Sequence, residues 1–304
     1  MSLVASRKNR PRSSGPIGRP ARGDQVRSIA PRAEWRAELG LEFVARAGGT
    51  VLSKRVHRGP LQVQRPFFPE GPEVCHVYLL HPPGGLVAGD VLHVEIATGD
   101  GAHALVTTPA ATKVYRSGDG QVARQEQRLR VAAGSSLEWL PQETILFESG
   151  RAELSTVVEI AGDGCFFGWE IVSLGRPAFG EPLARGTCRQ RFELSRDGRP
   201  LVIERLLLVG GGEAQAASWG LAGHAVTGTL VASGGVGLPE DLRAFCSERP
   251  PREWAGITEI AGAIVARYLG SSAERARDCF TEIWRRLRPG LLGRPASAPR
   301  IWQT

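Results

Sequence analysis

Residues 75–90, CHVYLLHPPGGLVAGD, set how the rest of the chain is read. Val74, His76, Tyr78 and Leu80 alternate with Cys75, Val77 and Leu79, the two-residue period of a β-strand. Pro82-Pro83-Gly84-Gly85 then stops the strand, because proline has no N–H to give a ladder and glycine accepts turn dihedrals. Leu86 and Val87 follow, then a second turn at Gly89-Asp90, then a strand over Val91–Ala97. The bends of this strand–turn–strand unit carry Cys75, His76, His81 and Asp90.

Outward from this unit the same grammar repeats. Leu39–Arg46, Thr50–His57 and Leu61–Gln64 precede it. Ala102–Thr108, Thr112–Arg116, Val122–Val131, Ser136–Leu140, Thr144–Glu148, Ala152–Ala161 and Cys165–Ser173 follow. Further on come Gly186–Ser195, Pro200–Val209, Val226–Ala232 and Ile257–Leu269. Glycine-rich turns separate these segments, and the Asp197-Gly198 turn reads as a hairpin. About fifteen strands at short spacing indicate an all-β body. No repeat of fixed length is evident, so sandwich, barrel and β-helix all remain open.

Helices are expected only near the C-terminus. Pro239–Glu248 has proline at the favoured first position and Leu242, Phe245 and Cys246 on one side. Ser271-Ser272-Ala273-Glu274 resembles a capping box and starts a helix near residues 272–287. This helix gathers Ala276, Cys279, Phe280, Ile283, Trp284 and Leu287 on one face, and Pro289-Gly290 is expected to stop it. Its other face carries Arg275, Arg277, Glu282, Arg285 and Arg286, either as solvated charges or as a partner-binding surface, with Arg285 and Arg286 the candidates.

A chain of 304 residues can bury a full core. No apolar run reaches the ~18 residues needed to span a bilayer, and the basic N-terminus has no apolar segment after it. Five cysteines spread over this length read as reduced thiols in a cytoplasm rather than a disulfide framework. The formal charge of +7 is concentrated in residues 1–32, an Arg-, Pro-, Ser- and Gly-rich arm expected to be disordered. Residues 33–304, expected to form a single β domain, are neutral overall by the same count. Only the arm suggests nucleic acid, and without interleaved aromatics it reads as a solvated extension rather than a specific binder.

Enzyme signatures are missing: no GxSxG elbow, no GxxxxGK[ST] loop, no HExxH and no CxxC pair occurs. Cys75 and His76 are adjacent and so face opposite sides of a strand, which disfavours one stable metal site. Carboxylates within apolar strands are more informative, because ionised groups there are costly unless paired or hydrated. Glu138, Glu170 and Glu204 lie in such strands, and Glu143 and Asp90 at turns. Pairing with arginines such as Arg116, Arg176 or Arg205 is one explanation, and physics alone favours it. The other is an internal, watered path whose acids pass a divalent ion without trapping it.

Residues 60–90 (PLQVQRPFFPEGPEVCHVYLLHPPGGLVAGD), 105–117 (LVTTPAATKVYRS), 137–147 (LEWLPQETILF), 174–181 (LGRPAFGE), 199–206 (RPLVIERL) and 287–304 (LRPGLLGRPASAPRIWQT) together closely resemble the urease accessory protein D family, UreD or UreH. The resemblance spans about residues 39–304. It implies a β-helix-like body with two helices, and a non-enzymatic factor that helps insert nickel into apo-urease. The implied partners are a UreF-type accessory protein, a UreG-type GTPase and apo-urease, with a homodimer inside the accessory complex. No tightly bound cofactor is implied, only nickel in transit. The family's acid-lined tunnel maps onto Asp90 (VAGD, with Ala88 where glycine is usual), Glu170 (WE) and Glu204 (IER), and Thr112 in PAATK falls at a tunnel-associated position. His76 and His81 are secondary metal candidates. The competing class is a β-helical enzyme acting on an acidic or carbohydrate substrate.

Overall fold

Alternating strands broken by tight turns leave each strand with one apolar row, and two such rows must face each other to leave water. The computed structural model describes residues 35–118, 120–248, 250 and 253–303, and resolves this requirement as a β-solenoid. The basic arm, residues 1–32, lies outside the described residues.

The chain opens with the hairpin β1 (Arg36–Arg46) and β2 (Gly49–Arg58), followed by the short β3 (Gln62–Val63). Four successive coils then form. The first is β4 (Val74–Leu80), β5 (Gly85–Leu86) and β6 (Val91–Thr98); the second is β7 (His103–Thr107), β8 (Thr112–Val114) and β9 (Ala123–Val131). The third is β10 (Ser136–Leu140), β11 (Thr144–Leu146) and β12 (Arg151–Ile160); the fourth is β13 (Cys165–Arg176), β14 (Glu181–Pro182) and β15 (Thr187–Arg196). β16 (Arg199–Val209) returns antiparallel on β15. A one-turn helix α1 (Glu213–Ala216), β17 (Val226–Ser233), α2 (Glu240–Ser247), β18 (Trp254–Ile260), β19 (Ala263–Gly270) and α3 (Ala273–Leu292) complete the chain.

Coils stack in parallel register. Val74, His103, Ser136 and Cys165 lie side by side along one wall. Val91, Arg124, Glu153 and Arg189 do so along the other. A narrow third face is made by β5, β8 and β11. Coil length of roughly 30 residues varies from turn to turn, and this variation hides the repeat from a search for a fixed period. The full sheets run β16-β15-β12-β9-β6-β1-β2 and β18-β19-β17-β13-β10-β7-β4-β3.

Two cores result. Between the walls lie Leu39, Phe43, Val77, Val106, Leu129, Leu137, Val158, Phe166 and Leu194. Outside the second wall, Leu105, Phe167, Trp169 and Ile171 meet Leu242 of α2 and Phe280, Ile283, Trp284 and Leu287 of α3. That wall is therefore covered on both faces, so β4 is buried over nearly its whole length.

Three details depart from the sequence reading. The segment 257–269 is not one strand but the hairpin β18–β19, turned at Ala261-Gly262 with both residues at positive φ. A helical turn, α1, appears in the glycine-rich segment after β16. Helix α3 does not stop at Pro289 but runs on to Leu292 and ends at Gly293 in the left-handed region. Its last turn is held by burial of Leu287 and Leu291 and by Arg288, whose guanidinium is buried and ion-paired, and these contacts outweigh the hydrogen bond that proline removes. At its start, Ser272 accepts a 3.2 Å hydrogen bond from the Arg275 N–H.

Candidate functional site

Interior-facing positions of the walls are mostly apolar, and in one zone several polar side chains stand together in the apolar phase. In β9, Gln125 and Gln127 fall between Ala123 and Leu129; in β12, Thr156 falls between Leu154 and Val158. In β15, Gln190 falls between Cys188 and Phe192, and Glu170 occupies the inward row of β13 with Phe166 and Val172. Gln125, Gln127, Glu170 and Gln190 border a cavity of about 70 Å³, whose wall includes Thr112 and Thr144 of the narrow third face and His81. At about 30 Å³ per water it has room for roughly two waters. A second cavity of about 30 Å³ shares Glu170 and Gln190 with the first and continues to Glu204 of β16 and Thr229 of β17. Glu170 is thus a common wall of two chambers.

Neutral groups hold the Glu170 carboxylate. Gln190 Nε2 donates to Oε2 at 2.6 Å, and the Thr156 hydroxyl donates to Oε1. Thr156 Oγ1 is also 2.9 Å from the Gln127 carbonyl oxygen, within reach of the same proton. Burial pushes the Glu170 carboxyl above the usual carboxylate range against the pull of these hydrogen bonds, and the Glu204 charge adds to the rise. Glu204 is held differently: Arg267 of β19 pairs with Oε1, and Thr229 Oγ1 donates to Oε2 at 2.9 Å.

His81 and Gln125 border the larger cavity with buried atoms, His81 Nε2 and Gln125 Oε1, that have no hydrogen-bond partner. Burial lowers the His81 pKa, opposed by the Asp90 charge nearby, so the neutral imidazole is favoured. Asp90 is buried outside both chambers, where its Oδ2 accepts the Val87 N–H at 2.9 Å and closes the turn before β6. His76 faces the opposite side of β4. There it meets Glu70 at 2.7 Å, part of a second polar cluster in which Arg288 bridges Glu70 and Glu138. Glu138, fully buried, also accepts from Trp284 Nε1 at 2.6 Å and meets His103 at 2.8 Å.

The two explanations for acids in apolar strands therefore divide between residues. Glu138 and Glu143 are arginine-paired, through Arg288 and Arg277. Glu204 pairs with Arg267 rather than its neighbour Arg205, which sits near Glu193. Glu170 alone of these acids leans on neutral partners around a cavity. On α3, Arg286 is engaged within the chain by Glu282, Asp241 and the Phe245 ring, whereas the more exposed Arg285 lies 3.7 Å from Glu282. Among the described residues, no three His, Cys, Asp or Glu side chains come together so as to hold a metal ion, and no helix is long and apolar enough to cross a membrane.

Several contributors were not singled out from sequence: Gln125, Gln127 and Gln190 at the chambers, Thr156 as a partner of Glu170, and Glu70, His103 and Arg288 at the second cluster. For the first group a signal existed, since each is a polar residue in phase with a buried row. Glu70 and Arg288 meet only through tertiary folding, and no spacing announces it.

Fold and site together define a β-solenoid protein with two adjoining, partly acidic cavities that share Glu170. The family described as UreD urease accessory protein matches residues 35–303. Urease accessory proteins UreD of Chromohalobacter salexigens (45% identical, 90% of either chain covered), Saccharophagus degradans (43%, covering 90% of this chain and 95% of the relative) and an Azoarcus species (44%, covering 90% and 96%) are similar over nearly this whole length. The chain belongs to the UreD urease accessory protein family, and its role lies in urease maturation.

Proposed function

We propose that this protein is a non-enzymatic conduit and adaptor that passes nickel toward apo-urease, within a complex containing a UreF-type protein and a UreG-type GTPase. The carrying observation is the pair of adjoining chambers that share Glu170 and end at Glu204. Apolar walls with a few oxygen and imidazole groups offer a divalent ion stations in place of its hydration shell, and weak single-carboxylate sites suit transit better than storage. Nickel is cargo here, not a resident cofactor. Chemistry that consumes GTP belongs to the partner. Asp90 supports the passage from beside His81 by fixing the turn, and Thr112 walls its far side.

The reading is tested by reconstitution. Apo-urease, the two partner proteins and this chain are mixed with Ni²⁺ and GTP, and urease activity and nickel content are followed. Leaving out this chain is expected to give nickel-poor, inactive urease even with GTP present. Full metallation without it would contradict the proposal.

A further inference from the structure

Two polar atoms in the larger chamber have no reason to be there on packing grounds. His81 Nε2 and Gln125 Oε1 are both buried and both lack a hydrogen-bond partner, which leaves the desolvation cost of each atom uncompensated. They stand on different elements, His81 just after β4 and Gln125 in β9, and both border the same cavity. A structural role would have paired them, as Gln127 is paired with Thr156 and Gln190 with Glu170. Two unpartnered polar atoms at one cavity describe a place for something that is not protein.

We propose that His81 and Gln125 form the station that selects which divalent ion passes. This rests on the conduit reading above and adds a chemical filter to it. Oxygen ligands alone discriminate poorly: carboxylate and carbonyl groups suit Mg²⁺, Ca²⁺ and Mn²⁺ as well as later metals. An imidazole nitrogen shifts the preference toward nickel and its neighbours in the transition series. Glu170 and Glu204 supply charge without selectivity, and His81 is the nitrogen ligand at the wall of the cavity that adjoins Glu170. Gln125 adds a neutral oxygen, which assists the ion without the charge that would trap it.

The test uses the reconstituted activation system with limiting Ni²⁺, fixed Mg²⁺ for the nucleotide, and Mn²⁺ as competitor. His81→Gln is expected to lower activation severalfold and to reduce the inhibitory Mn²⁺ concentration by about tenfold, the scale on which support of a metal site acts. Gln125→Met keeps the volume and removes the oxygen. It is expected to raise the Ni²⁺ concentration for half-activation by about tenfold, and it serves as the test if His81→Gln does not assemble. Glu170→Gln is run in parallel as the probe of the conduit itself. If Glu170→Gln depresses activation while the His81 and Gln125 variants keep wild-type Ni²⁺ and Mn²⁺ responses, the filter is overturned and the conduit stands. If Glu170→Gln also behaves as wild type, the conduit fails and the filter with it.

Discussion

Glu170 and Glu138 are both glutamates within apolar strands, yet their surroundings give opposite predictions. Burial works to raise the Glu138 carboxyl, but the His103 hydrogen bond and the charges of His103 and Arg288 outweigh it and hold it at about 2. Its depressed value means that its contribution to stability is present above the unfolded pKa of about 4.5 and is lost as pH falls toward 2. Glu138→Gln should therefore destabilise the chain at neutral pH, by about 1–3 kcal/mol, since Arg288 and Trp284 lose charge-assisted hydrogen bonds while Arg288 keeps Glu70 as its charge partner. It should also flatten the acid limb of a pH-dependent unfolding curve between pH 4.5 and 2. A steep acid limb retained in the variant would show that other groups carry it. Glu170 is raised by burial and by the Glu204 charge, so replacing it with neutral glutamine removes a desolvation cost. Glu170→Gln is expected to raise the Tm by about 2–3 °C, corresponding to roughly 1 kcal/mol, while lowering urease activation. Loss of stability on this substitution would mark Glu170 as a structural acid.

Helix α3 packs one face against the outer side of the second wall. Its inner face carries Phe280, Ile283 and Trp284, each fully buried and worth about 1.5–3 kcal/mol on removal from water. That face was legible from the 3.6-residue spacing, but the end of the helix was not. Pro289-Gly290 is a stop signal by propensity, and it is overridden because Arg288, one residue earlier, is fixed by Glu70 and Glu138 at positions more than a hundred residues away in sequence. The outer face also divides. Charge reversal of Arg286 should loosen α2 from α3 by breaking its contacts with Asp241 and Phe245, and is read as a fall of a few degrees in Tm. Arg285→Glu should leave stability within about 0.5 kcal/mol, since exposed pairs contribute little. If α3 binds the UreF-type protein, Arg285→Glu weakens its pull-down; unchanged pull-down removes that surface from the account.

As a whole, the molecule is a solenoid whose coils are closed by different turns and therefore differ in length. Strand content and turn positions could be read directly from alternation and from Gly/Pro punctuation. Stacking order could not, because parallel pairing at roughly 30-residue separation leaves no local mark when the period drifts. The same holds for the site: polar residues in the apolar phase of β9, β13 and β15 could be seen strand by strand, but only stacking brings them to one cavity. Space and unpaired polar groups at that cavity are what distinguish a conduit from a core with paired acids. The most direct test replaces both acids of the path, Glu170→Gln with Glu204→Gln, and measures nickel bound to urease after reconstitution with GTP. With complex assembly intact, urease nickel content is expected to fall at least about tenfold relative to wild type. Full nickel loading through a double variant that still assembles would contradict passage between the two walls.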